Sequence, residues 1–245
     1  MKLVVDIGNT KVKAGIFDGK ELVETRSCGG WCRDDLRRLR SVYPIECGIL
    51  ATVSGCPDWV RDEMADLPFV LWDRFRADLR YPVYSAYDMA TLGRDRIAIG
   101  VALRYLYPQR TVLGIGLGSC ITYNLVRPDG RLEPGAISPG VYMRSRAMHV
   151  FTHALPQVDL DWAAAVWPTP MRVDGTETAL RTGCVEGVRH ELEGFIYRYR
   201  SECGPIPVVL TGGDAGYFEF STKKGIFANP NLVLIGLNEI LDYNK

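Results

Sequence analysis

The first third of the chain alternates short apolar runs with turn residues. The segments KLVVDI, VKAGIFD and ELVETRS have the length and composition of strands, and glycine-containing turns separate them. This order predicts a three-stranded antiparallel meander. After it, the hydrophobic spacing predicts helices at 34–42 and 59–65 and strands at 48–54 and 69–72. Strands that alternate with helices indicate an α/β layer architecture.

The same pattern begins again at Thr111, with TVLGIG, CITYNLV and RLEPGA in the order of the first meander. Gly118 follows Gly8 by 110 residues, and Asp129 follows Asp18 by 111. Helices are then predicted at 141–154 and 177–199, followed by the strand PVVLTG and by a last strand and helix in NLVLIGLNEILDYN. We interpret the chain as an internal duplication.

The duplication predicts two domains, 1–90 and 91–245, with an inter-domain helix at about 91–107 and a cleft between the domains. Each domain opens with a β-meander.

Composition narrows the classes of function. Lysine plus arginine and aspartate plus glutamate both number 29, so the net charge is zero and no basic field is available to hold nucleic acid or a membrane surface. No run approaches the roughly 20 apolar residues of a membrane span. The seven cysteines are scattered and odd in number, which is typical of reduced thiols. We therefore expect a cytoplasmic protein without nucleic-acid or membrane partners.

The turn after the first strand, DIGNT, has the features of a phosphate-binding turn. Gly8 lets a ligand approach the backbone, Asn9 and Thr10 add small polar donors, and Asp6 offers a hard oxygen ligand for magnesium. Lys13 is close enough in sequence to reach the same phosphates. A plain hairpin turn is the alternative for this pentapeptide alone.

The second meander carries an equivalent turn at Gly118 and Ser119, which we expect to face the first across the cleft. Gly212 and Gly213 follow the strand PVVL, where paired glycines would let a nucleoside lie against the backbone. Strand-Gly-Gly-helix junctions also occur purely for packing.

Gly93-Arg94-Asp95-Arg96 opens the inter-domain helix. A carboxylate between two arginines is expected to remain ionised and to accept a proton from a substrate hydroxyl. A capped, salt-bridged helix N-terminus is the alternative.

These motifs together resemble the type III pantothenate kinases, also called the Bvg accessory factor family, within the actin-like and hexokinase-like ATPase superfamily. DIGNT, GRDR, GAISPG (135–140), DGTETALRTG (174–183) and TGGDA (211–215) stand in that family's order and spacing. The resemblance implies duplicated actin-like, ribonuclease H-like domains. It also implies ATP-dependent phosphorylation of pantothenate to phosphopantothenate, the first step of coenzyme A biosynthesis.

Residue roles follow from the same resemblance. Asp95 would be the general base, and pantothenate would contact Gly93, Arg96, Tyr87 and Thr176. The partner subunit of a homodimer would supply Thr176, with the substrate pocket at the interface. Magnesium would bind at Asp6, and a monovalent cation, potassium or ammonium, is also implied. The phosphates and nucleoside of ATP would contact Asp6, Gly8, Asn9, Thr10, Lys13, Gly118, Ser119, Gly212 and Gly213.

One position departs from the family pattern. The second phosphate motif usually reads Asp-x-Gly-Thr, whereas this chain has Gly116-Leu117-Gly118-Ser119. Gly116 therefore removes a carboxylate from the expected metal and phosphate region, where charge neutralisation matters most for phosphoryl transfer. This loss favours one alternative, a catalytically impaired or non-catalytic ligand-binding member of the family. A separate alternative is a kinase of the same fold that acts on a different small alcohol.

Overall fold

The computed structural model describes residues 1–8, 11–29, 32–52, 55–72, 79–159, 172–218 and 225–245. Its strands are β1 (Lys2–Ile7), β2 (Val12–Asp18), β3 (Glu21–Cys28), β4 (Cys47–Thr52), β5 (Phe69–Trp72), β6 (Val112–Leu117), β7 (Cys120–Val126), β8 (Leu132–Pro139), β9 (Val208–Thr211) and β10 (Ile226–Ala228). Its helices are α1 (Arg33–Val42), α2 (Asp58–Glu63), α3 (Arg94–Leu106), α4 (Val141–Val150), α5 (Thr176–Cys203) and α6 (Leu232–Tyr243).

The strands form two five-stranded sheets with the same internal order. The first sheet runs β3-β2-β1-β4-β5, and the second runs β8-β7-β6-β9-β10. In the first, β1 pairs antiparallel with β2 and parallel with β4, so the sheet is mixed. The equivalent order confirms the α/β fold and the duplication. Asp6 and Gly116 are each the next-to-last residue of the first strand of their sheet.

The segment NLVLIGLNEILDYN differs from its prediction. It holds no strand, because Leu232–Tyr243 is one continuous helix, and the predicted last strand there is wrong. The last strand of the structure is β10, which precedes this segment. A short apolar run fits a buried strand or a buried helix equally well by pattern. Here helix packing decides the outcome, because Gly236 lies so close to α3 that an added Cβ would be 1.9 Å from the Ala98 carbonyl oxygen.

The chain divides into two compact units. Unit 1 comprises 1–114, 124–134 and 231–245, and unit 2 comprises 115–123 and 135–230. In unit 1, α3 is apolar and buried over most of its length, from Ile97 to Leu103. In unit 2, α5 buries one apolar stripe, which includes Leu180, Val188 and Leu192. Within the described part of the chain, no helix combines the length and apolarity that crossing a membrane requires.

Candidate active site

Asp6 and Lys13 form a charged pair on the first hairpin of unit 1. They are cross-strand partners on β1 and β2, and both side chains are half-buried. Burial and the nearby Asp95 carboxylate raise the pKa of Asp6 to about 7, while Lys13 opposes the rise. Burial also lowers the pKa of Lys13, against the attraction of Asp6. This hairpin therefore holds a desolvated carboxylate and a desolvated ammonium beside each other.

Asp95 lies in the first turn of α3, and Gly93 is the N-cap residue of that helix. A Cβ added to Gly93 would stand 2.6 Å from Oδ1 of Asp95, so the absence of a side chain at 93 leaves room for this carboxylate. Burial raises the pKa of Asp95, while hydrogen bonds from backbone amides and the charge of Arg96 act against the rise. Desolvation is therefore a larger influence on the pKa of this carboxyl group than the charge of Arg96.

Arg96 is buried, with only 4% of its surface exposed. Its Nε donates a 2.7 Å hydrogen bond to Oδ1 of Asn124, which is completely buried on β7. The other arginine of the motif, Arg94, lies over the ring of Trp72, 5.9 Å from its centroid. Asn124 thus fixes one side of the guanidinium that neighbours Asp95.

In unit 2, the turn that follows β6 packs between two glycines. Gly140, the N-cap of α4, donates its amide to the Ser119 carbonyl at 2.9 Å. A Cβ at Gly140 would lie 1.9 Å from the Gly118 carbonyl oxygen. On the other side, a Cβ at Gly212, whose φ is +103°, would lie 2.1 Å from the Leu117 carbonyl oxygen. These close approaches define a compact backbone turn, here called the 117–119 turn.

The glycine-rich motif after β9 continues this contact. Asp214 donates its amide to the Leu117 carbonyl at 3.1 Å, and a short 3-10 helix follows at Ala215–Phe218. The structure therefore brings the two sequence motifs of unit 2, Gly118-Ser119 and Gly212-Gly213, to one place. Gly118 itself has open space around the position of an added Cβ, so a ligand can approach its backbone.

Glu191, on α5, was not identified from the sequence, yet it joins several elements of unit 2. Its Oε1 accepts hydrogen bonds from Tyr123 on β7, at 2.9 Å, and from Ser138 on β8. Its Oε2 forms a salt bridge with Arg144 on α4. Ser138 belongs to the GAISPG motif noted in the sequence. Glu191 lies 53 residues further along the chain, so no contiguous motif links the two residues.

Three further described residues were predicted to contact ATP or pantothenate, namely Gly8, Tyr87 and Thr176. Gly8 donates its amide to the Lys11 carbonyl at 3.1 Å and closes the first hairpin, whereas Asn9 and Thr10 lie outside the described residues. Tyr87 is 48% exposed, on the segment that leads to α3. Thr176 is exposed at the first position of α5.

A divalent cation fits the donor set of unit 1. Among the described residues, no group of three or more His, Cys, Asp or Glu side chains could hold a metal by itself. Magnesium in phosphoryl-transfer sites needs only one or two carboxylates, because phosphates and water complete its coordination. The charge of Asp95 contributes to the raised pKa of Asp6, and a cation at Asp6 would relieve this repulsion.

The family model and the full-length relatives that this chain matches carry the same family description. Residues 62–198 match the family model described as type III pantothenate kinase. A type III pantothenate kinase of Phocaeicola vulgatus is 40% identical over 245 residues, which cover 100% of this chain and 99% of that protein. Those of Bacteroides fragilis and Cytophaga hutchinsonii are 38% and 34% identical, again over 100% of this chain and at least 99% of theirs.

Solved structures show the same fold at low sequence identity. A Campylobacter jejuni protein assigned to the Baf family of transcriptional activators has a TM-score of 0.56 and 18% identity, covering 99% of this chain and 98% of its own. The ethanolamine utilization protein EutJ of Carboxydothermus hydrogenoformans has a TM-score of 0.51 and 14% identity, covering 98% and 89%. This chain therefore shares its fold with these two proteins. By the family model and by full-length identity to curated relatives, this chain belongs to the type III pantothenate kinase family.

Proposed function

We propose that this chain transfers the γ-phosphoryl group of ATP to the primary hydroxyl of pantothenate, the first step of coenzyme A biosynthesis. The full-length relatives named type III pantothenate kinase support this assignment. The observation that carries it is the Asp95 carboxyl group, half-buried at the start of α3 beside Asp6, with its pKa raised by burial. A carboxylate in that setting has the basicity that a general base needs.

In the reaction, Asp95 orients the hydroxyl group of pantothenate and accepts its proton. The hydroxyl oxygen forms a bond to the γ-phosphorus, and the bond from that phosphorus to the bridging oxygen breaks, which releases ADP. Gly93 keeps the Asp95 carboxylate in place because no Cβ occupies its position. The buried guanidinium of Arg96, fixed by Asn124, supplies positive charge next to this carboxylate and toward the acidic end of pantothenate.

The two phosphate turns hold ATP. Lys13 offsets negative charge on the phosphates, and Gly8 and Gly118 have no side chain that would keep a phosphate away from the backbone. Magnesium, when bound with ATP at Asp6, neutralises charge on the β- and γ-phosphates. Positioning and charge neutralisation are most of what phosphoryl transfer requires of a protein.

Finer features of the family belong to the same proposal. A monovalent cation, potassium or ammonium, accompanies ATP, and the protein acts in the cytoplasm as a homodimer in which Thr176 of the partner subunit contacts pantothenate. The exposure of Thr176 at the start of α5 leaves it accessible for such a contact.

A coupled ADP-release assay with ATP, magnesium, potassium and pantothenate tests the proposal. We expect turnover that saturates with pantothenate and fails with polyols of similar size. The matched variant is Asp95→Asn, which keeps the shape of the side chain and removes the base. Saturating turnover with an unrelated alcohol instead of pantothenate would contradict the assignment.

A further inference from the structure

The Glu191 carboxylate binds donors from three other elements of unit 2. Tyr123 on β7 and Ser138 on β8 donate to one oxygen, and Arg144 on α4 pairs with the other. The Glu191 side chain is 17% exposed, and that of Arg144 is 25% exposed. A largely desolvated carboxylate with three donors is a rigid junction, because removing any donor leaves part of a charged group unsatisfied.

Two of these donors hold the last two residues of β8, Ser138 and Pro139, which lead to α4 through Gly140 and are here called the connection. Ser138 donates to Glu191 directly, and Arg144 also donates from Nε to the Pro139 carbonyl at 2.9 Å. Glu191 therefore restrains residues 138–139 both directly and through Arg144. Tyr123 differs, because it reaches Glu191 from β7 and packs against Phe195, with 4.2 Å between ring centroids.

The restrained connection leads directly to the 117–119 turn. Gly140, the next residue, bonds to the Ser119 carbonyl and lies in close contact with the Gly118 carbonyl oxygen. A displacement of Gly140 toward the turn therefore cannot be absorbed without moving the turn backbone.

We propose that Glu191 is a positioning residue for nucleotide binding, which sets the 117–119 turn through Ser138, Arg144 and Gly140. The inference rests on the proposed function in one respect, namely that this turn contacts the phosphates of ATP. Tyr123 anchors the same carboxylate without restraining the connection.

Two single-hydroxyl deletions separate positioning from general stability. Ser138→Ala and Tyr123→Phe each remove one donor to the same oxygen of Glu191, and Arg144→Met removes the donor to the other. ADP affinity is measured by titration calorimetry, KM for ATP and for pantothenate by the coupled assay, and the thermal midpoint by circular dichroism. The wild-type protein is measured in parallel.

We expect Ser138→Ala and Arg144→Met to bind ADP about tenfold more weakly and to raise KM for ATP similarly, with KM for pantothenate within twofold of wild type. Tyr123→Phe should keep ADP affinity within twofold, although its thermal midpoint falls. Equal losses of affinity in Ser138→Ala and Tyr123→Phe, or no loss in Ser138→Ala and Arg144→Met, would overturn the positioning role while wild-type binding upholds the kinase. Absence of adenine-nucleotide binding by the wild type would overturn the proposed function, and the inference with it.

Discussion

Replacing Gly93 with alanine tests whether this glycine serves the reaction by making room for Asp95. The new Cβ would stand 2.6 Å from Oδ1 of Asp95, whereas ordinary van der Waals contact begins at 3.4 Å. The carboxylate must therefore retreat by about 0.8 Å. Because Oδ1 is at the end of a flexible side chain, the protein can accommodate this shift at little cost in folding.

The expected effect on catalysis is much larger than the effect on stability. A misplacement of about 1 Å in a reacting group can cost on the order of 100-fold in rate, so we expect kcat of Gly93→Ala to fall by roughly 30- to 100-fold. The φ of Gly93 is −55°, which alanine adopts without strain. Loss of stability should stay near 0.5 kcal/mol, because alanine is a poorer N-cap than glycine.

The assay is coupled ADP release under saturating substrates, with unfolding followed by denaturant titration. Gly183→Ala on α5 is the matched control, since apart from its own helix backbone and its chain neighbours its Cβ would meet no atom within 4 Å. It should leave kcat within twofold and raise stability by about 0.5–1 kcal/mol through helix propensity. The decisive comparison is Gly93→Ala in an Asp95→Asn background, where the alanine should cost no further activity because its effect passes through the carboxylate.

Either of two results would contradict this role of Gly93. One is a Gly93→Ala variant whose kcat stays within threefold of wild type. The other is a loss of activity that is equally large with and without the Asp95 carboxylate.

Three further predictions concern the charges and the backbone of the site. The pKa of Asp6 rises from 3.8 to about 7 on folding, so ionisation of this group lowers the free energy of unfolding as pH rises through that range, by at most about 4 kcal/mol. In the absence of ligands, Asp6→Asn should therefore raise the thermal midpoint at pH 8 but not at pH 4. Equal shifts at both pH values would contradict burial as the cause of the raised pKa. Gly140→Ala, which forces a Cβ to within 1.9 Å of the Gly118 carbonyl oxygen, should weaken ADP binding at least tenfold by calorimetry, and unchanged affinity would show that the 117–119 turn does not bind phosphate. Gly116→Asp should raise kcat about 100-fold by restoring a carboxylate to the phosphate region, whereas unchanged turnover would show that the carboxylate is dispensable.

Local patterns predicted most of the fold, because each strand and helix carries its own period. The strands Phe69–Trp72 and Cys120–Val126 have the bounds that the sequence predicted. The helix Leu232–Tyr243 was partly predicted as a strand, because its apolar start has no distinguishing period and its packing partner is distant in sequence.

The candidate site was predictable only where its residues form contiguous motifs. The GRDR motif indicated Asp95, but its two arginines suggested an easily ionised carboxyl group, whereas burial raises its pKa. Burial depends on the packed fold and cannot be read from adjacent charges. Asn124 and Glu191 escaped notice for a related reason: their partners Arg96 and Ser138 are 28 and 53 residues away in the chain.

The composition of unit 1 from three separate stretches of chain has a consequence for synthesis on the ribosome. Ala98 on α3 is translated 138 residues before Gly236, the residue of α6 that packs against it. At a translation rate of about 5–20 residues per second, the apolar surface of α3 stays uncovered for roughly 7–28 s until α6 has been synthesised. During that interval this surface is where a nascent chain of this protein would bind a chaperone or aggregate, although the finished fold conceals it.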